Sequence, residues 1–330
     1  MEYVQLGNSD VKVSTVTFGA WAIGGWLWGG ADVNAALTAI GKGLDLGVTS
    51  IDTAPVYGFG QSEEIVGKAI KGKRDNVQIL TKYGLRWLGE KGQFFFASQD
   101  NNGKPLNIYR YASKESIIKE CEESLKRLGT DYIDLYQIHW ADPTTPISET
   151  MEAMEILHRQ GKIRAAGVCN YTAEQMNDAL KSFPIVSNQV PYSMLRRDIE
   201  EDVVPFSLKN NSSILAYSPL QRGLLTGKIT PETVYGEGDN RSDTPYFKKQ
   251  NILKVNKFLA DIEPIAEEKN ATLAQLVLAW TLKQPGITVV LAGARTDKQI
   301  ADNAGAADIR LTEAEVDAIT SLLDKLELEL

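Results

Sequence analysis

Four residues of complementary chemistry gather where β-prone runs of this sequence end: Asp52, with Tyr57 five residues later, Lys82 and His139. Adding hydrogen across a C=O bond needs a hydride at carbon and a proton at oxygen. A tyrosine supplies that proton only if its pKa falls from about 10, and a nearby lysine ammonium lowers it by stabilising the phenolate. An aspartate paired with the lysine keeps it charged and oriented. A neutral histidine can hydrogen-bond the carbonyl oxygen and fix the substrate's angle. Each residue alone has an ordinary explanation. Asp52 can cap a turn, Tyr57 can pack as a half-exposed aromatic, Lys82 can be a solvated strand end and His139 a satisfied core histidine. Their coincidence at three successive strand ends is what points to a site.

The elements that must position them follow from alternation. Short apolar runs at Ser14–Phe18, Thr49–Thr53, Val77–Lys82, Ile133–Ile138, Ile163–Val168, Ile185–Val190, Ile214–Tyr217 and Ile287–Leu291 read as eight strands. Between them lie helical patterns, and strand–helix alternation of this kind gives a parallel sheet. Asn34–Leu46 carries apolar residues near helical spacing and runs into Gly47. Ser113 caps a helix that stops at Gly129, Ile147–Gln160 stops at Gly161, and Thr172 with Gln175 forms a capping-box pattern. Eight such units predict a (β/α)8 TIM barrel over a single domain, residues 1–330, with an open doubly wound sheet as the alternative. Active sites of such barrels lie at the C-terminal ends of the strands.

Three stretches exceed a minimal barrel. Tyr3–Leu6 and Val11–Val13 flank Gly7-Asn8-Ser9-Asp10 and predict an N-terminal β-hairpin plug. Tyr83–Ala112 reads as a polar, aromatic-rich loop and Gln221–Asn251 as a long Gly- and charge-containing one. Both follow strand C-terminal ends, and loops of this length are usually functional or disordered.

A second cluster suits a nucleotide. No Gly-x-Gly-x-x-Gly opens the first unit; Gly58-Phe59-Gly60-Gln61-Ser62-Glu63 begins like one but ends in Glu63. After the eighth strand comes Ala292-Gly293-Ala294-Arg295-Thr296-Asp297-Lys298-Gln299-Ile300-Ala301-Asp302-Asn303. Gly293 permits close backbone approach, and Arg295 offers a fork for phosphate and a flat face for adenine. The following helix N-terminus presents free N–H groups to an anion. Gln299, Asp302 and Asn303 share one helix face, where adenine could be read. Thr296 and Gln299 equally suit a capping box on a plain surface helix.

Composition limits the remaining classes. The chain has 330 residues, 43% hydrophobic, with a formal net charge of −8. That is enough for a full-sized core, and its acidity disfavours nucleic acid and anionic lipid surfaces. Two cysteines, Cys121 and Cys169, and two histidines, His139 and His158, leave no structural zinc motif and no metal site is expected. Cys121 and Trp280 read as packing residues and His158 as a surface residue. With no basic, apolar leader and no apolar run of the ~18 residues a membrane span needs, a cytoplasmic protein is expected.

Three motifs carry a family resemblance. Asp52-Thr53-Ala54-Pro55-Val56-Tyr57-Gly58 with Gly60-Gln61-Ser62-Glu63-Glu64-Ile65-Val66-Gly67 is the first. Ser124-Leu125-Lys126-Arg127-Leu128-Gly129-Thr130-Asp131-Tyr132-Ile133-Asp134-Leu135-Tyr136-Gln137-Ile138-His139 is the second, and Gly161-Lys162-Ile163-Arg164-Ala165-Ala166-Gly167-Val168-Cys169-Asn170-Tyr171 the third. In order, over essentially the whole chain, they resemble the aldo-keto reductases. The likeness is nearest to the bacterial subgroup that includes inositol-locus and general-stress reductases. The resemblance implies an NADP(H)-dependent oxidoreductase for aldehydes, ketones or sugars. Tyr57 would be the general acid, tuned by Lys82 and Asp52, with His139 orienting the carbonyl and NADPH extended across the barrel mouth.

The resemblance also distributes the cofactor contacts. Asn170 and Gln189 would bind the nicotinamide carboxamide, with Cys169 standing where the family has Ser, and Tyr217 would stack on the ring. Ser218, Leu220, Arg222 and Gly223 would touch the pyrophosphate. Gly293, Arg295, Gln299, Asp302 and Asn303 would hold the adenosine end, Arg295 favouring the 2′-phosphate of NADPH. Of the aromatics near the mouth (Trp21, Trp26, Trp28, Phe59, Trp87, Phe94–Phe96 and Trp140), Trp21 is assigned to the cofactor, and Trp26 and Trp140 to a small carbonyl or alcohol substrate. Some members of the superfamily bind the cofactor as regulatory subunits of ion channels, the alternative role the resemblance allows.

Overall fold

The computed structural model describes residues 1–330. An antiparallel hairpin, β1 (Tyr3–Gln5) and β2 (Lys12–Ser14), precedes β3 (Val16–Gly19), α1 (Val33–Asp45), β4 (Ser50–Asp52), α2 (Gln61–Ile70) and β5 (Gln78–Tyr83). Then come β6 (Leu85–Arg86), β7 (Gln93–Gln99), β8 (Pro105–Arg110), α3 (Lys114–Leu128), β9 (Ile133–Ile138), α4 (Ile147–Arg159), β10 (Ile163–Cys169), α5 (Ala173–Leu180) and β11 (Ile185–Pro191). The chain finishes with α6 (Val203–Lys209), β12 (Ser213–Tyr217), α7 (Lys249–Glu268), α8 (Leu273–Lys283), β13 (Ile287–Gly293), α9 (Asp297–Gly305) and α10 (Glu313–Leu323).

Strands β3, β4, β5, β9, β10, β11, β12 and β13 form a closed, all-parallel barrel, sealed where Val290–Gly293 of β13 pairs with Val16–Gly19 of β3. Each of the eight apolar runs read as strands therefore contains a barrel strand. The caps agree as well. Ser113 accepts from the Ser116 N–H, Thr172 and Gln175 complete a capping box, and Gly129 closes α3 at φ 64°. At α9 only half the expected box forms: Thr296 accepts from the Gln299 N–H, but the Gln299 side chain turns back to the Arg295 N–H.

The two-residue strand period sorts side chains into layers inside the barrel. Leu80, Leu135, Ala165, Leu215 and Val289 form an apolar layer that continues into Leu6, Val11 and Val13 of the hairpin. The hairpin thus plugs the barrel floor, as expected from sequence. Gly7, at φ +49° and hydrogen-bonded to Ser213 Oγ at 3.0 Å, lies so close that a Cβ would stand 2.9 Å from the Val186 and Asn211 carbonyls. Two residues beyond Leu80 and Leu135 come Lys82 and Gln137, so the layer above is polar. Residues facing outward, such as Ile79, Tyr136, Ile138 and Val290, join the larger core beneath the helices.

The reading of Tyr83–Ala112 as a loop is corrected. The segment folds into a three-stranded antiparallel sheet of order β6-β8-β7. Asp100 makes the tight turn between β7 and β8 by accepting from the Asn102 and Lys104 N–H groups, and Gly103 sits at φ +78°. Residues 221–248 remain irregular, broken only by short 3-10 turns.

If the hairpin closes the barrel floor, Leu6→Ala should destabilise the protein by about 2–5 kcal/mol, the usual loss for a fully buried leucine. A denaturant titration reads this as a lower midpoint at unchanged slope. A shift below about 0.5 kcal/mol, the ordinary range for a surface site, would mean the hairpin is not part of the core.

Candidate active site

In the polar layer Lys82 Nζ lies 2.6 Å from Asp52 Oδ1 and 2.9 Å from the Thr53 carbonyl. The lysine is fully buried and Asp52 is 3% exposed. Asp52 Oδ2 accepts from Gln189 Nε2 at 2.7 Å and Gln137 Nε2 at 3.3 Å, so both carboxylate oxygens are satisfied. Burial penalises the ammonium, yet the carboxylate beside it holds the Lys82 pKa above the ordinary lysine value. The same Nζ stands 4.9 Å from the centroid of the Tyr57 ring.

The Tyr57 ring is set by a tight corner after β4. Gly58, Phe59 and Gly60 all have positive φ, and the Ser62 N–H at the start of α2 donates to the Tyr57 carbonyl. Ser62 Oγ ties this corner to the Ala20 carbonyl at 2.8 Å. Gly24 must be glycine for the corner to close, since a Cβ would stand 2.7 Å from the Tyr57 carbonyl oxygen. His139 meets the Tyr57 ring edge-on at 5.7 Å, and its main-chain N–H donates to the Tyr83 carbonyl.

The electrostatics differ from the sequence expectation in one respect. Burial pushes the Tyr57 phenol above its ordinary pKa, against the pull of Lys82. Desolvation outweighs one ammonium that already serves a carboxylate, so the phenol keeps its proton, which is the form that can donate it. Burial, and then the Lys82 charge, hold His139 well below the ordinary histidine value, so it is neutral.

Tyr57, His139, Asp52 and Gln189 line one continuous groove across the barrel mouth, a cavity of about 590 Å3. Trp21, Trp26, Trp140, Asn170, Tyr217, Ser218, Leu220, Arg222, Gly223, Gly293, Arg295, Gln299, Asp302 and Asn303 line it too. Two expected residues stand behind its wall: Lys82, which is fully buried, and Cys169, which is 1% exposed and touched by the fields of Lys82 and Asp52. The thiol is raised by burial and stays neutral.

The groove walls suit a dinucleotide. Asn170, at φ +59°, is fixed by donating to the His139 carbonyl and accepting from Tyr217 Oη, both at 3.0 Å. Ser218, Gln221, Arg222 and Gly223 all have positive φ, and such turns gather main-chain N–H groups into anion-binding concavities. Arg222 lies 5.0 Å over the Trp21 ring and is held by Asn240. At the far end Arg295 donates to the Trp28 and Gly30 carbonyls, which uses part of its fork, and Asn303 donates to the Gly293 carbonyl. Asp302 accepts from Thr272 Oγ1, with Lys228 Nζ 3.8 Å from its other oxygen.

Sequence reasoning missed Gln137, Lys228 and the Asp239–Arg241 pair, and did not foresee what holds Trp28. Gln137 lies within the second motif, two residues before His139; strand parity turns it inward, but its partner Asp52 stands on another strand. Lys228 closes the Tyr217–Lys228 segment and reaches the groove. Trp28 pairs with Asp239 in an isolated bridge, and Arg241, bidentate on Asp239, lies 5.5 Å from the Trp28 ring. These residues strap the β3–α1 loop to the β12–α7 loop across the groove, a long-range pairing with no local signal.

The Aldo/keto reductase family model matches residues 15–324. The chain is 43% identical over 303 residues to the aldo-keto reductase YhdN of Bacillus subtilis (strain 168), covering 91% of this chain and 87% of that protein. It is 37% identical over 333 residues to the NADH-specific methylglyoxal reductase of Escherichia coli (strain K12), covering 99% and 100%. The solved structure of a glycerol dehydrogenase from Gluconobacter oxydans superposes with a TM-score of 0.88 at 38% identity, covering 98% of this chain and 95% of that one. The rim of Asp52, Tyr57, Lys82 and His139 thus sits in a fold and a sequence shared from end to end with these enzymes, and the chain belongs to the aldo/keto reductase family.

Proposed function

We propose that the protein reduces small aldehydes and ketones to alcohols with NADPH, Tyr57 giving the proton. The observation that carries this reading is the convergence of a protonated phenol, a buried ammonium–carboxylate pair and a neutral imidazole beside one dinucleotide-sized groove. A bound nicotinamide supplies the hydride. The chain's own residues do the rest. His139 hydrogen-bonds the carbonyl oxygen and holds it against Tyr57. Tyr57 passes its proton to that oxygen, and the Lys82 ammonium stabilises the phenolate left behind. Asp52 keeps Lys82 charged and turned toward the ring.

Arg295 and Lys228 favour NADPH over NADH, since a 2′-phosphate needs cationic partners. Against them stands Asp302, whose charge Lys228 partly offsets, and the E. coli relative is named as NADH-specific. A panel of aldehydes assayed with each coenzyme tests the reading: NADPH should be consumed with the higher kcat/KM. Arg295→Ala should raise KM for NADPH by about ten- to a hundredfold and leave NADH nearly unchanged, the loss of one charged hydrogen bond. An equal effect on both coenzymes would remove Arg295 from 2′-phosphate recognition, and no consumption of either would remove the reductase reading.

The pH dependence follows from the directions above. The donor is protonated and the imidazole neutral well on either side of neutrality, so kcat/KM for reduction should be flat from about pH 6 to pH 9. Alcohol oxidation needs the deprotonated phenol as base and should rise with pH over that interval. An inflection in reduction near the ordinary histidine pKa of about 6.5 would mean that His139 titrates in the free enzyme.

A further inference from the structure

Asp52 of β4, Gln137 of β9 and Gln189 of β11 come from the second, fourth and sixth strands around the barrel. Alternate strands of a barrel fill one layer, so these side chains share a level. Gln137 is fully buried and does not line the groove, whereas Gln189 does. One layer below, the strand of Gln137 carries Leu135. An amide in such a place is costly unless its hydrogen bonds are made. Room for it comes from β10. In register Gln137 stands between Lys82 of β5 and Gly167 of β10. A Cβ at residue 167 would lie 3.1 Å from Gln137 Cγ and 2.6 Å from Ser187 Oγ, so the glycine leaves the space that the amide takes.

The hydrogen bonds close a triangle. Gln137 Nε2 donates to Asp52 Oδ2 at 3.3 Å. Gln189 Nε2 donates to the same oxygen at 2.7 Å and to Gln137 Oε1 at 3.3 Å. A carboxylate only accepts, so the Gln189 atom beside it is the nitrogen. Both N–H groups of that nitrogen are then engaged. Turning the amide over would set its oxygen against two other oxygens. Gln189 Oε1 has no hydrogen-bond partner in the protein and stays open to the groove.

We propose that Gln137 is a positioning residue: it braces the Asp52 oxygen that Lys82 does not hold and, with it, locks the sense of the Gln189 amide, so that the groove meets the carboxamide N–H of the coenzyme with an acceptor. The inference rests on the dinucleotide reading of the groove. One oxygen of Asp52 holds the ammonium behind Tyr57, and the other sets the acceptor on the coenzyme side. Without Gln137 one N–H of Gln189 is released. The terminal torsion of an amide side chain is soft, so the acceptor then swings about its single remaining contact.

Binding tests this without turnover. The acetylpyridine analogue of NADP+ carries a methyl where the carboxamide has its NH2, and cannot donate there. By tryptophan fluorescence the unmodified protein should bind NADP+ about tenfold tighter than the analogue, the effect of leaving one acceptor unpaired. Gln189→Met removes the acceptor and should bring the ratio of the two Kd values to about one. Gln137→Met keeps the length of the side chain without either bond and should lower the ratio to about three or less. Gln137→Asn, one methylene short of both partners, should do the same and serves if the methionine variant does not fold. A residue that only fills space would weaken both ligands alike and leave the ratio where it was. A ratio near one in the unmodified protein, or one that Gln189→Met or the folded Gln137 variants do not move, would overturn the inference and leave the dinucleotide reading intact. Binding of neither ligand would overturn that reading, and the inference with it.

Discussion

The arrangement depends on one buried contact, the 2.6 Å pair between Lys82 and Asp52. Taking two charges out of water costs several kcal/mol per ion, and only close geometry and full hydrogen bonding recover it. Here both conditions hold. The ammonium also meets the Thr53 carbonyl, and the second carboxylate oxygen receives two glutamine amides from β9 and β11. The barrel makes this possible, because parallel strands with inward residues in register bring side chains far apart in sequence onto one level. Breaking the pair from one side would strand a buried charge, a loss of about 3–5 kcal/mol. The fold and the chemistry therefore share a constraint, since the contact that keeps Lys82 charged also anchors the top of the barrel's interior.

Around that pair the protein sets two gradients. Below it the barrel is apolar down to the hairpin plug; above it the groove is lined by amides, turns with positive φ and arginines. Tyr57 lies at the boundary. It is buried enough that its phenol keeps a proton, and the Lys82 ammonium 4.9 Å from its ring offsets part of that burial effect. The loops crossing the groove, joined by the Trp28–Asp239 bridge, enclose the site from above without a covalent link. The chain is an oxidoreductase of the aldo/keto reductase family, and in barrels of this kind active sites lie at the C-terminal ends of the strands.

What the sequence revealed, and what it hid, follows the range of the signals. Barrel strands announce themselves as apolar runs between capped helices, so all eight were legible, as were the caps at Ser113 and Thr172. Asp52, Lys82 and His139 were legible because each stands at or next to a strand end, and Tyr57 because it follows Asp52 by five residues. The insert was misread although Asp100-Asn101-Asn102-Gly103 is a turn signal and Phe94–Phe96 a strand signal. Its many polar residues masked a sheet that is open to solvent on one face. Gln137 was hidden because its partner is a carboxylate 85 residues earlier. The sign of the Tyr57 shift was hidden because burial is a property of the whole fold, not of neighbouring residues. Cys169 follows the same rule: its near-complete burial at the end of β10 is a property of the closed barrel.

The central claim is that the Tyr57 hydroxyl delivers the proton from beside the Lys82–Asp52 pair. Tyr57→Phe tests it with the least disturbance, since one oxygen is removed and the ring stays against Trp21 and His139. Single-turnover reduction of an aldehyde, read alongside NADPH affinity from tryptophan fluorescence, should show chemistry slowed by about 10²–10⁴-fold with affinity retained. Turnover at the unmodified rate would contradict the account.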